Sequence, residues 1–146
     1  MKNVAQDAIW QFEVNASKQL SVVSAQAKAL LLGNALQMSS ARLLQSQGAA
    51  VASASEITLG AAGNRFQISG TTNIDRIDST DWAGGSIINL HFQGSLTVNH
   101  ATANNGAFKG LRLAGAANFA VTAADQLTLQ YDGVDLVWYE LARAVI

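Results

Sequence analysis

From residue 4 to residue 47 the chain has no proline and one glycine, Gly33, and is dominated by Ala, Leu, Gln and Ser. That composition predicts a helix nearly end to end, roughly 65 Å long at the standard rise per residue. An apolar track advances by alternating steps of three and four: Ile9, Phe12, Ala16, Leu20, Val23, Ala27, Leu30, Leu31 and Met38. Such spacing lines one helix face and comes close to a coiled-coil seam over its first heptads. Asn3 is in place as N-cap with Gln6 in capping-box register, and Gly48 stands where a C-terminal cap belongs. The alternative is a helical hairpin, 4–32 and 35–47, broken at Gly33-Asn34, because glycine costs about 1 kcal/mol in a helix interior and Gly-Asn suits a turn.

Residues 49–55 are small and read as a linker, after which the pattern turns to short β-rich runs separated by Gly, Asn and Asp. Strands are expected at 56–59, 65–69, 73–77, 86–93, 95–99, 111–113, 118–121, 126–131 and 136–141. Phe66 and Ile68, Ile74 and Ile77, Leu96 and Val98, Leu111 and Leu113, and Leu127, Leu129 and Tyr131 would face inward. The run Ile87-Ile88-Asn89-Leu90-His91-Phe92 suits a central strand covered on both faces, and Asp132-Gly133 suits a hairpin. The expected class is therefore α+β. A long N-terminal helix, coiled-coil-like (1–48), precedes a linker (49–55) and an all-β sandwich, barrel or prism-like head (56–146). A β block of about 90 residues has a compact radius of gyration of about 12 Å. So small a body cannot cover so long a helix, and sister chains or a mounting surface would have to.

Only 13% of residues are charged, against about 25% in ordinary globular proteins; a neutral surface of this kind suits a fixed assembly. The net charge is −1, without a basic tract to attract a phosphate backbone. Cysteine is absent, which removes thiolate metal sites and disulfides. The N-terminus lacks the apolar run of a signal peptide. The most apolar window, 25–32, is interrupted by Gln26 and Lys28 and is too short to span a bilayer. Nucleic-acid binding and membrane insertion are not expected.

The β block resembles a small domain at the C-termini of bacteriophage tail-fibre and tailspike proteins. Gly63-Asn64-Arg65-Phe66-Gln67-Ile68-Ser69-Gly70 with Thr71-Thr72-Asn73-Ile74-Asp75-Arg76-Ile77 carries the likeness first. Gly85-Ser86 leading into the 87–92 run, Ser95-Leu96-Thr97-Val98, Asp125 through Gly133 and Trp138-Tyr139-Glu140-Leu141-Ala142-Arg143 follow in order. The resemblance implies a structural protein of the virion, made in the host cytoplasm and trimeric, with other virion proteins as partners. It implies no catalytic residues and no cofactor. A tail fibre or spike, a capsid decoration or head fibre, and a module for a host-surface glycan or receptor are the positions it leaves open.

Chemistry read from the residues alone points the same way. Asp75, Asp78 and Asp81 recur every third position, without the facing pair a glycosidase uses or the glycine turn of a calcium loop. His91 and His100 have no ligand-spaced companions, although a threefold axis could bring three copies of one histidine together. No Gly-x-Ser-x-Gly elbow or phosphate-binding loop occurs. An enzyme is not expected. Trp82, in the polar loop 79–85, is the aromatic most suited to exposure and the candidate ligand contact, by stacking on a sugar ring, although packing in a core or subunit interface is the favoured reading.

Overall fold

A computed structural model describes residues 10–14, 20–24 and 45–146. Two compact units result, Met1–Arg42 and Leu43–Ile146. In the first, β1 (Trp10–Val14) and β2 (Leu20–Ser24) pair antiparallel, from Trp10 opposite Ser24 to Val14 opposite Leu20. This overturns the long helix, and with it the α+β class and the coiled-coil seam. Phe12, Leu20 and Val23 sit in strands, while Ile9, Ala16, Ala27, Leu30, Leu31 and Met38 lie outside the described residues, as does the Gly33-Asn34 break. The physical reason lies in Trp10-Gln11-Phe12-Glu13-Val14, which alternates with period two and is rich in aromatic and β-branched β-formers. Phe12 satisfies both the helical and the alternating pattern, and short apolar runs do not choose between them.

The second unit is nearly all β. Its strands are β3 (Val51–Ala52), β4 (Glu56–Ile57), β5 (Arg65–Ser69), β6 (Arg76–Asp78), β7 (Ile87–Phe92), β8 (Leu96–Val98), β9 (Phe108–Arg112), β10 (Phe119–Val121), β11 (Gln126–Asp132) and β12 (Val137–Ala144). One 3-10 turn, Ala114–Ala116, is the only helical element among its described residues. Eight strands form one sheet in the order β3-β5-β7-β11-β12-β9-β6-β4.

The two edges of that sheet, β3 and β4, belong to one continuous segment. Its first half runs parallel to β5 and its second half parallel to β6. Between them, the Ser53 N–H donates to the Ser69 carbonyl at 2.7 Å, and the Ser55 carbonyl accepts from the Asp75 and Arg76 N–H groups at 2.8 and 3.0 Å. The sheet therefore rolls into a nearly closed barrel, which removes most of the open edge a flat sheet would expose. The expected linker 49–55 is thus part of the barrel. Just before it, Gly48 allows close approach: a side-chain carbon there would run into the Phe66 ring.

Strands β8 and β10 form a separate antiparallel ribbon. Single parallel bridges, Ile74 to Val98 and His100 to Leu111, tie its flanks to the barrel strands. The ribbon contributes Leu96, Val98, Phe119 and Val121 to the core, beside Phe66, Ile68, Ile88, Leu90, Phe92, Leu127, Leu129 and Trp138 from the barrel. Strand β7 is central but covered on one face only. Ile88, Leu90 and Phe92 are buried, whereas Ile87 is exposed and Asn89 and His91 are half-buried on the outer face. On that face the Asn89 amide donates to the Thr128 hydroxyl of β11 at 3.1 Å.

Candidate functional site

Trp82 does not stand out from the surface. It is half-buried and packs edge-on against Phe66 and Trp138, with ring centroids 6.2 and 6.0 Å away and interplanar angles of 81° and 74°. Tyr131 continues the cluster at 5.1 Å from Trp138. The loop 79–85 therefore uses its indole to plug the barrel interior, and each edge-to-face pair adds about 0.5–1.5 kcal/mol beyond burial. Glycan stacking on this ring would compete with that packing.

The aspartates serve the fold. Asp75 accepts from the Asn99 amide and the Ser55 hydroxyl, both at 2.5 Å, and these bonds hold its carboxyl below the ordinary range against the opposing effect of burial. Asp78 is lowered chiefly by the Thr80 hydroxyl at 2.6 Å. Asp125 is enclosed and accepts the backbone N–H groups of Thr122 and Ile146 at 2.8 and 2.9 Å, which lower it in turn. Asp81 is exposed. His100 uses Nδ1 to accept the Leu113 N–H at 2.9 Å, which fixes the imidazole against the ribbon. The described residues contain no group of three acidic, His or Cys side chains able to hold a metal ion. No helix among them is long and apolar enough to cross a membrane.

Between two turns lies a shallow, open depression of about 310 Å³, with Gly84 and Gly85 on one side and residues 130–134 on the other. The turns touch: a side-chain carbon at Gly84 would sit 3.2 Å from the Gly133 nitrogen, and one at Gly133 3.2 Å from the Gly84 Cα. The Gly85 N–H donates to the Tyr131 carbonyl at 2.8 Å, and the Tyr131 N–H to the Ser86 carbonyl at 2.9 Å. Asp132 Oδ1 accepts the Val134 and Asp135 N–H groups at 2.7 and 2.8 Å. These bonds freeze the hairpin and hold the Asp132 carboxyl below its ordinary value, the Asp135 N–H having the larger effect.

Beside the depression, Gln130 is the middle of a cross-strand row, opposite Ile87 on β7 and Tyr139 on β12. The Tyr139 hydroxyl donates to Asp135 Oδ2 at 2.7 Å, which pushes the phenol up. The hairpin was legible at Asp132-Gly133, and Gly84-Gly85 marks a turn on its face. Their meeting was not legible, because only the β7–β11 pairing brings them together.

No protein-family model matches the chain, and no curated protein or solved structure is significantly similar to it.

Proposed function

We propose that the chain is a structural component of a bacteriophage particle whose β-barrel is the displayed part. The observation that carries this reading is where the tail-fibre-like stretches fall. Phe66, Ile68, Ile74, Ile77, Ile88, Leu90, Phe92, Leu96, Val98, Leu127, Leu129, Tyr131 and Trp138 all lie within them, and all are buried in a single core. The likeness thus follows the packed frame of the domain rather than scattered surface residues.

Two further features support assembly. The surface is poor in charge, and Leu141, Val145 and Ile146 expose apolar side chains near the end of β12, with 51%, 68% and 80% of their surface open. The separate unit Met1–Arg42 is assigned the role of attachment to the particle or to sister chains. A trimer belongs to the same proposal, on the resemblance and not on a coiled coil.

Antibodies against the barrel, used for immunogold labelling of purified particles, test this reading. Label on the tail supports a fibre or spike component, and label distributed over the head supports a capsid decoration. Absence of the chain from denatured, purified particles by mass spectrometry overturns the proposal.

A further inference from the structure

Of the asparagines in the chain, Asn105 alone is followed by glycine. Residues 103–107 are all exposed, so water reaches the pair freely. The N–H and the carbonyl of Asn105 both bond to Phe108, each at 2.9 Å, which closes a tight turn with Gly106 at φ 57°. The Gly106 N–H donates no hydrogen bond among the described residues, and the space around its Cα is open. Two contacts favour loss of that proton. The Phe108 N–H polarises the Asn105 carbonyl of the same peptide group, and the Lys109 ammonium sits on the Gly106 carbonyl at 2.5 Å. The Asn105 side chain meanwhile fastens the sheet. Its Nδ2 donates to Glu56 Oε1 at 2.8 Å, and the same oxygen accepts from the Arg76 guanidinium at 3.0 Å. Glu56 belongs to β4, so this amide ties an edge strand of the barrel to the turn that leads into β9.

We propose that Asn105-Gly106 is a self-modifying site, at which the chain deamidates in water and thereby unfastens β4. The Gly106 nitrogen gives its proton to solvent base and bonds to the Asn105 side-chain carbonyl carbon. The bond from that carbon to Nδ2 breaks, and the nitrogen takes a proton from water and leaves as ammonia. A five-membered cyclic imide remains. Water adds to one of its two carbonyls and opens one C–N bond, giving aspartate or the isomer linked through the side-chain carboxyl. Glycine suits the first step because no side chain hinders ring closure. Both products lack the Nδ2 donor. Aspartate sets a second carboxylate against Glu56, where like charges repel. The isomer lengthens the backbone by a carbon and breaks the bridge between Asn105 and Phe108. Asp132-Gly133, the chemically related pair, is held back: Asp132 Oδ1 is bound by the Val134 and Asp135 N–H groups, and Gly133 packs against Gly84. The inference stands apart from the virion reading and does not rest on it.

The test incubates the full purified chain at mildly alkaline pH and follows it by peptide mapping with mass spectrometry. The peptide holding Asn105 is expected to gain the mass of an amide-to-acid change and to yield both isomers. Its rate should exceed that of any other asparagine in the barrel by at least about tenfold. It should also rise about tenfold per pH unit, since the deprotonated nitrogen is the attacking form. Hydrogen exchange on the aged chain should quicken at residues 56–57, 76–78 and 105–110, and the thermal midpoint should fall by about 4 °C. Asn105→Asp is expected to show this loosening from the start, and Asn105→Gln, whose longer side chain closes a less favourable ring, to escape conversion. An unconverted Asn105, conversion spread evenly over the asparagines, or a converted chain with unchanged exchange in β4 overturns the proposal. If the glutamine variant is itself loosened, fresh and aged parent chain decide.

Discussion

The indole N–H of Trp138 donates to the main-chain carbonyl of Ile77 at 3.3 Å, fully inside the barrel. Trp138 belongs to β12 and Ile77 to β6, with β9 between them in the sheet, so this bond spans the interior rather than a ladder. Trp138→Phe removes the donor and with it this hydrogen bond, at a cost of about 0.5–1.5 kcal/mol. Trp138→Ala adds a large cavity and is expected to cost about 4 kcal/mol. Urea unfolding monitored by circular dichroism reads both values, and equal stability of the two variants would contradict the assignment.

Trp82 is expected to behave as a core residue. Trp82→Ala removes contacts to Phe66 and Trp138 and should cost about 2–3 kcal/mol. A loss below about 0.5 kcal/mol, the range of ordinary surface positions, would return it to the surface.

Closure of the barrel depends on a residue with no side chain. Gly48 donates its N–H to the Arg65 carbonyl at 2.8 Å, and its missing Cβ leaves room for the Phe66 ring. Gly48→Val should destabilise by about 1–3 kcal/mol through overpacking. Hydrogen exchange should localise the loosening to residues 47–57 and their partners on β5 and β6. Unchanged protection there would refute the closure role.

Acid should weaken the fold from one direction. The carboxyls of Asp75, Asp78, Asp125 and Asp132 are all held below the ordinary value of 3.8 by hydrogen bonds made only in the folded chain. A depressed folded pKa contributes stability that is complete above 3.8 and is lost as pH falls through the lower folded values. Thermal midpoints should therefore vary little with these groups above about pH 5 and drop below pH 4. Asp75→Asn should lower the neutral-pH midpoint and flatten part of the acid drop. An acid profile identical to the parent's would contradict the role given to Asp75.

Much of the barrel can be read from residues alone. Arg65-Phe66-Gln67-Ile68-Ser69 alternates so regularly that strand and inward face follow together, and the structure buries Phe66 and Ile68. Val51 and Ala52 escape such a reading, since a two-residue ladder between small residues has no periodicity to detect. At Trp10 and Phe12 two signals compete: the absence of breakers argues for helix, local alternation argues for strand, and the structure follows the alternation. For Trp82 the polar loop suggests exposure and the aromatic residue suggests packing; only the assembled barrel shows the place between Phe66 and Trp138 that the indole takes. The depression depends on Gly84 meeting Gly133, a contact between distant turns that no local pattern encodes.

A cryo-electron microscopy map of purified virions decides whether the barrel belongs to a particle. Density on the particle surface is expected to accept the barrel of residues 45–146, with the closing segment 47–57 visible between β5 and β6. A particle map complete without any density of that shape, from virions whose host makes the chain, would contradict it.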